Sequence, residues 1–188
     1  DAIIDGCAAG IPDADGLCNL FQEANARILR QQENPGQEDM KTTAVALSIT
    51  EDQAVWVHVG DSRLYHFSGD GLVHTTRDHS VTYMKYLGGE ISYMDIYHDD
   101  DRSSLLRVLG KESCRPEAGG CALRAGDAFL LCSDGFWEYV CQEEILADLL
   151  KAETPEQWGK LMLLRHIRRA PAGNDNFSLI AVFVEEEL

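Results

Sequence analysis

The sequence predicts an α+β sandwich. Two observations carry that expectation. Runs of β-branched and apolar residues joined by tight turns occupy the first half of the chain, and helical spacing dominates much of the second. The length of 188 residues suits one domain, enough to bury roughly 70% of the unfolded surface in one core.

A helix is expected after Asp13 or Asp15, either of which can cap it. Leu17, Leu20, Phe21, Ala24 and Ile28 recur at helical spacing before Asn34-Pro35-Gly36 stops the pattern. The period then changes. Thr43 to Thr50 and Ala54 to Val59 read as strands around Glu51-Asp52-Gln53. Arg63 to Phe67 follows Gly60-Asp61 as a third strand, and Gly69-Asp70-Gly71 turns into a fourth over Leu72 to Thr75. These four are expected to form an antiparallel meander.

The stretch from Ser80 to about Pro116 breaks the pattern. Val81 to Leu87 and Ile91 to Tyr97 are short helical pieces around Gly88-Gly89. Ser92 and Asp95 are set for a capping box, but the second piece is too short for a core element. The segment is expected to lie over one sheet edge as an insertion. Ala128 to Cys132 is then a short apolar strand and Gln142 to Lys151 a helix. Thr154-Pro155-Glu156-Gln157 starts another helix with a capping box and a first-turn proline, and Leu161, Met162 and Leu164 give it an apolar face. Phe177 to Val184 is the last strand, before the polar Glu185-Glu186-Glu187. No repeat or linker interrupts the chain, so residues 1–188 read as a single domain. Its opening is odd: residue 1 is Asp, and Ala2-Ile3-Ile4 has nothing before it to cap a helix or pair a strand. An N-terminal portion is expected to be missing.

Lys and Arg total 16 against 32 Asp and Glu, a net charge of −16. Such a surface repels phosphate backbones and anionic lipid, so neither nucleic acid nor membrane is expected as a partner. No apolar stretch approaches the roughly 18 residues of a membrane span, and no secretory signal opens the chain. Six scattered cysteines show neither zinc spacing nor a C-x-x-C pair. They favour reduced thiols and a cytoplasmic protein over a Cys114–Cys121 bridge.

Three acidic residues stand at strand ends. Asp61 follows Val55 to Val59, Asp134 follows Leu130-Leu131-Cys132, and Asp175 lies just before the last strand. Each has two readings. Asp beside Gly is common turn chemistry, yet carboxylates converging at one sheet edge are hard oxygen ligands suited to Mg²⁺ or Mn²⁺. Two such ions turn a bridging water into a nucleophile and neutralise a phosphoryl group. Glu138 is open in the same way, as a ligand or as an acidic residue leading into the next helix. His58, His66, His74, His98 and His166 lack metal spacing and read as satisfied core or surface residues.

Four motifs resolve the ambiguity by resemblance. Val59-Gly60-Asp61-Ser62-Arg63-Leu64-Tyr65, Thr76-Arg77-Asp78-His79-Ser80, Leu131-Cys132-Ser133-Asp134-Gly135-Phe136-Trp137-Glu138 and Asp175-Asn176-Phe177-Ser178 occur in order. Their sequence and spacing resemble the metal-dependent protein phosphatases (PPM, type 2C) of bacterial type. Thr42-Thr43 and Arg107-Val108-Leu109-Gly110 are looser matches, and the likeness runs from about Leu17 to Val184. It implies two packed antiparallel sheets flanked by helices, an α-β-β-α sandwich, with a flap at residues 79–110. It implies Mn²⁺ or Mg²⁺ as cofactor, two ions and a weaker third. Asp134 and Asp175 fall on the catalytic ligands of the second ion; Asp61, with Asp134 and Glu138, falls on the third-ion site. Asn176 and Ser178 would buttress the Asp175 loop, and Asp78 and His79 would start the flap.

The implied substrate is a phosphorylated protein, hydrolysed at phosphoserine or phosphothreonine in opposition to a Ser/Thr kinase. There are departures. The family's phosphate-gripping Arg and its Asp-Gly-x-Gly-Gly, whose Asp bridges both ions, are not found, and Lys41 stands where Gly is usual. Asp5-Gly6-Cys7-Ala8-Ala9-Gly10 has only a superficial likeness to that motif and stands too close to the helix after it. It is expected to be the tail of a helix, with Asp5 and Gly6 as metal ligands the lesser reading. The chain as it stands would therefore keep half of the two-ion site and turn over little. A non-catalytic phosphatase-like binding or regulatory module is the alternative, and an acidic structural domain the third reading.

Overall fold

The computed structural model describes residues 2–7 and 10–185; Ala8 and Ala9, and Glu186 and Glu187 of the polar end, lie outside the described residues. Helix α1 (Ala2–Cys7) packs on helix α2 (Ala14–Gln31), whose cap is Asp13 accepting from the Gly16 N–H at 2.8 Å. One sheet contains β1 (Ala44–Ile49), β2 (Gln53–Val59) and β5 (Glu117–Ala122), with β2 central. The second runs β4-β3-β6-β7, from β3 (Arg63–Ser68), β4 (Gly71–Thr75), β6 (Ala128–Cys132) and β7 (Leu179–Phe183). All pairings are antiparallel.

The expected meander is corrected here. After β2 the chain leaves the first sheet, and β3 pairs with β6 in the second instead of with β2. The change of sheet is made at Gly60, where φ is +101° and a Cβ would run into Thr43.

Strand alternation then sorts side chains into three apolar layers. Leu17, Phe21 and Ala24 of α2 cover Val57 and Val59 on the outside of the first sheet. Trp56, Leu64, Phe129 and Leu131 fill the space between sheets. Tyr65, Phe67, Leu130 and Cys132 face the other way, onto Trp158 and Met162 of α6 (Pro155–Arg169) and Ile145 of α5 (Gln142–Leu149). This is the expected α-β-β-α order.

The segment after β4 holds α3 (Val81–Leu87) and a 3-10 helix (Tyr93–Tyr97) with the Ser92–Asp95 capping box in place. That short helix does reach the core: Ile96 and Tyr97 are buried against Trp137 and its neighbours. Strand β5 was not expected. Its sequence has no β-branched residue, and Gly119 is needed because the Trp56 ring occupies the space of its Cβ. On α6 the buried residues are Trp158, Gly159, Met162 and His166, whereas Leu164 is exposed. All six cysteines are free thiols, Cys114 and Cys121 included. No helix among the described residues is long and apolar enough to cross a membrane.

Candidate active site

Asp61 sits in the turn between sheets and is buried, its backbone carbonyl accepting from the Trp137 indole N–H at 2.8 Å. Two residues on, Arg63 is 1% exposed and donates twice to Asp78, from Nε at 2.8 Å and from Nη2 at 2.6 Å. Its guanidinium lies 3.5 Å from the centre of the Trp137 ring and donates to the Tyr65 hydroxyl at 3.1 Å. One buried fork thus joins the Asp61 turn, the start of the 79–110 segment and the short helix α4 (Asp134–Trp137).

Asp134 opens α4 and accepts from the Gly135 N–H at 2.8 Å. The loop carrying Asp175 is drawn against it by backbone contacts. Ser133 N–H donates to the Ser178 carbonyl at 3.1 Å, and Ser178 N–H donates to Ser133 Oγ at 3.0 Å. The Asn176 carbonyl oxygen fills the space a Cβ on Gly135 would need. From α6, the buried His166 ring donates from Nε2 to the Gly135 carbonyl at 2.7 Å. Gly135→Ala is therefore expected to part the Asp134 and Asp175 loops and cost about 1–3 kcal/mol, read by urea unfolding. An unchanged unfolding midpoint would contradict this packing.

Burial pushes the Asp61 carboxyl up to about 7, with the charges of Asp134 and Asp78 adding to the rise and Arg63 opposing it. Among the described residues no ion pair engages Asp61, Asp134 or Asp175. Glu138 differs: its carboxylate accepts from Arg102 Nε at 3.0 Å, a partner supplied by the 79–110 segment. Asp61 and Asp134 are hard oxygen donors whose like charges already interact, which is the chemistry of a site for Mg²⁺ or Mn²⁺. Asp5 and Gly6 lie in α1, a helix packed on α2, and not in a strand-end loop.

A second cluster was not foreseen. His58, His79 and Glu117 bring donor atoms within 4.8 Å of one another. The two rings are stacked, with centroids 4.7 Å apart and planes 11° apart. Stacked rings keep their in-plane lone pairs in separate, nearly parallel planes, so the two do not converge on one ion. Burial and His58 lower the His79 pKa, which favours the neutral ring.

No family model matches the chain. Protein phosphatase PhpP of Streptococcus pneumoniae is 27% identical over 172 residues, covering 91% of this chain and 69% of PhpP. Serine/threonine phosphatase stp of Listeria innocua is 30% identical over 168 residues, 88% of this chain and 66% of that protein. The crystal structure of the Mycobacterium tuberculosis serine/threonine phosphatase PstP superposes with a TM-score of 0.87 at 26% identity, covering 98% of this chain and 80% of that one. The chain belongs to the bacterial PPM phosphatase family. A structure of the PstP catalytic domain is in complex with two manganese ions, and it matches with a TM-score of 0.82 at 27% identity over 98% of this chain and 80% of that one. That all three relatives are named as phosphatases does not favour the reading of this PPM member as a non-catalytic module.

Sequence reasoning named the carboxylates but not what holds them. Arg63 and Trp137 lay inside the quoted motifs without a role, and His166 was set aside with the other histidines. Its only sequence signal is a His on the buried face of an otherwise charged helix.

Proposed function

We propose that this PPM member is a metal-dependent protein serine/threonine phosphatase in which Asp61, Asp134 and Asp175 hold divalent ions. The observation that carries the reading is the buried Asp61 carboxyl beside Asp134, which forms no ion pair among the described residues. When bound, Mn²⁺ or Mg²⁺ supplies an activated water and neutralises phosphoryl charge. The chain's own part is to fix the ligands. Ser133, Gly135 and His166 set Asp134 against the Asp175 loop, and Trp137 holds the Asp61 turn.

Glu138 joins this set only by exchanging Arg102 for an ion. Residues 79–110 act as a flap within a single phosphatase domain spanning 1–188, and the Arg102–Glu138 pair ties that flap to the site. Substrates are phosphoproteins modified by an opposing Ser/Thr kinase in a signalling system. The free thiols fit a cytoplasmic setting.

The test is Mn²⁺ binding by this chain together with hydrolysis of a phosphothreonine peptide. Asp134→Asn and Asp175→Asn are each expected to weaken Mn²⁺ binding by at least about tenfold. Hydrolysis, in a chain with no Asp-Gly-x-Gly-Gly, is expected to be slight and wholly Mn²⁺-dependent. Mn²⁺ binding indifferent to both substitutions would overturn the reading.

A further inference from the structure

We infer that His79 is a positioning residue for Asp61, gripping the preceding Gly60 from both sides. The Gly60 N–H donates to His79 Nδ1 at 3.1 Å in a buried contact, and the His79 N–H donates back to the Gly60 carbonyl at 3.0 Å. Gly60 is the residue that turns the chain between sheets at φ +101°, so its two peptide planes set the direction of Asp61.

The geometry dictates the tautomer. A backbone N–H can only donate, so Nδ1 must carry the lone pair and the ring proton must sit on Nε2. That proton faces Glu117 Oε2 at 3.3 Å, the partner that selects this form. The ring plane is fixed by its stack on His58, whose Nε2 donates in turn to the Arg77 carbonyl at 2.9 Å. Glu117 stands on β5 and His58 on β2, so the first sheet orients the ring that orients the Asp61 turn. A carboxylate acting through an oriented imidazole is the kind of outer support that tunes ion sites.

This inference rests on the ion-site reading above, and the experiment separates the two. Mn²⁺ affinity is measured by the electron paramagnetic resonance of free Mn²⁺ in wild type, Asp61→Asn, His79→Asn and His79→Gln. The Asn amide oxygen falls near the Nδ1 position and preserves the acceptor for Gly60. The Gln amide reaches toward Glu117 and abandons Gly60. His79→Gln is expected to weaken Mn²⁺ binding on the order of tenfold, with His79→Asn close to wild type, although both lose thermal stability.

A ring that merely filled space would not distinguish the two variants. Loss of affinity in Asp61→Asn with equal weakening in His79→Asn and His79→Gln would overturn this inference alone. Equal affinity in wild type and Asp61→Asn would overturn the role of Asp61 in the ion site and this inference with it. Without any variant, ¹⁵N NMR of wild-type His79 is expected to show the Nε2–H tautomer. A ring protonated on Nδ1 would overturn the inference directly.

Discussion

Arg63→Leu is expected to destabilise the protein by about 3–5 kcal/mol, because it leaves Asp78 buried with no partner for its charge. The side chains of Arg63 and Asp78 are 1% and 2% exposed, so water cannot replace the lost fork. For a chain of this size the loss corresponds to a fall in melting temperature of roughly 10 °C. The cation–π contact with Trp137 and the bond to Tyr65 are lost at the same time. Removing both charges, as Arg63→Leu with Asp78→Leu, is expected to recover a good part of the stability, since no unpaired ion then remains. Arg63→Lys keeps the charge but cannot make two parallel bonds or lie flat on Trp137, so it should fall between wild type and Arg63→Leu. Urea unfolding of the four proteins checks this. A loss below about 1 kcal/mol for Arg63→Leu would mean the pair is solvated in solution and does not join the Asp61 turn to α4.

Which parts were legible in the sequence follows from how local their causes are. Helix α2 and the start of α6 were readable because Asp13 and Thr154 cap them through bonds to residues three positions on. Strand β6 was readable because it is buried on both faces and therefore wholly apolar. The division into two sheets had no local signal: β2 and β3 look like neighbours until β6, over sixty residues later, takes the place beside β3. Strand β5 was invisible because its glycines answer to another strand, Gly119 to Trp56 and Gly120 to Ala54 and Val55. At the site, the motif carboxylates were legible as turn residues or as oxygen ligands, with nothing local to decide between them until the resemblance joined them. The Arg102–Glu138 pair spans 36 positions and connects a motif to a segment without one, so no pattern announced it. The grip of His79 on Gly60 lay within two quoted motifs, yet its direction depends on a tautomer that only the Glu117 contact selects.

Asp61→Asn is expected to stabilise the ion-free protein at pH 8 while changing little at pH 4. The sign follows from the direction of the shift. The folded Asp61 carboxyl sits at about 7 against an ordinary value of 3.8, so between those limits the folded state holds a proton that the unfolded chain has released. Wild-type stability contributed by this group is therefore fully present below about pH 4 and lost as pH rises through 7. At 1.36 kcal/mol per unit the difference is about 4 kcal/mol, or a gain on the order of 10 °C for the Asn variant at pH 8. A divalent ion reverses the comparison, because it binds the ionised carboxylate that burial disfavours. With Mn²⁺ at about a hundred times its dissociation constant, wild type should recover about 2.7 kcal/mol, and Asp61→Asn distinctly less. Melting curves at pH 4, 6 and 8, with and without Mn²⁺, make the check. Parallel pH profiles for the two ion-free proteins would show that Asp61 titrates as an ordinary carboxylate. Its burial would then be relieved by water, and Asp61 would leave the ion site if Mn²⁺ also stabilised the two proteins equally.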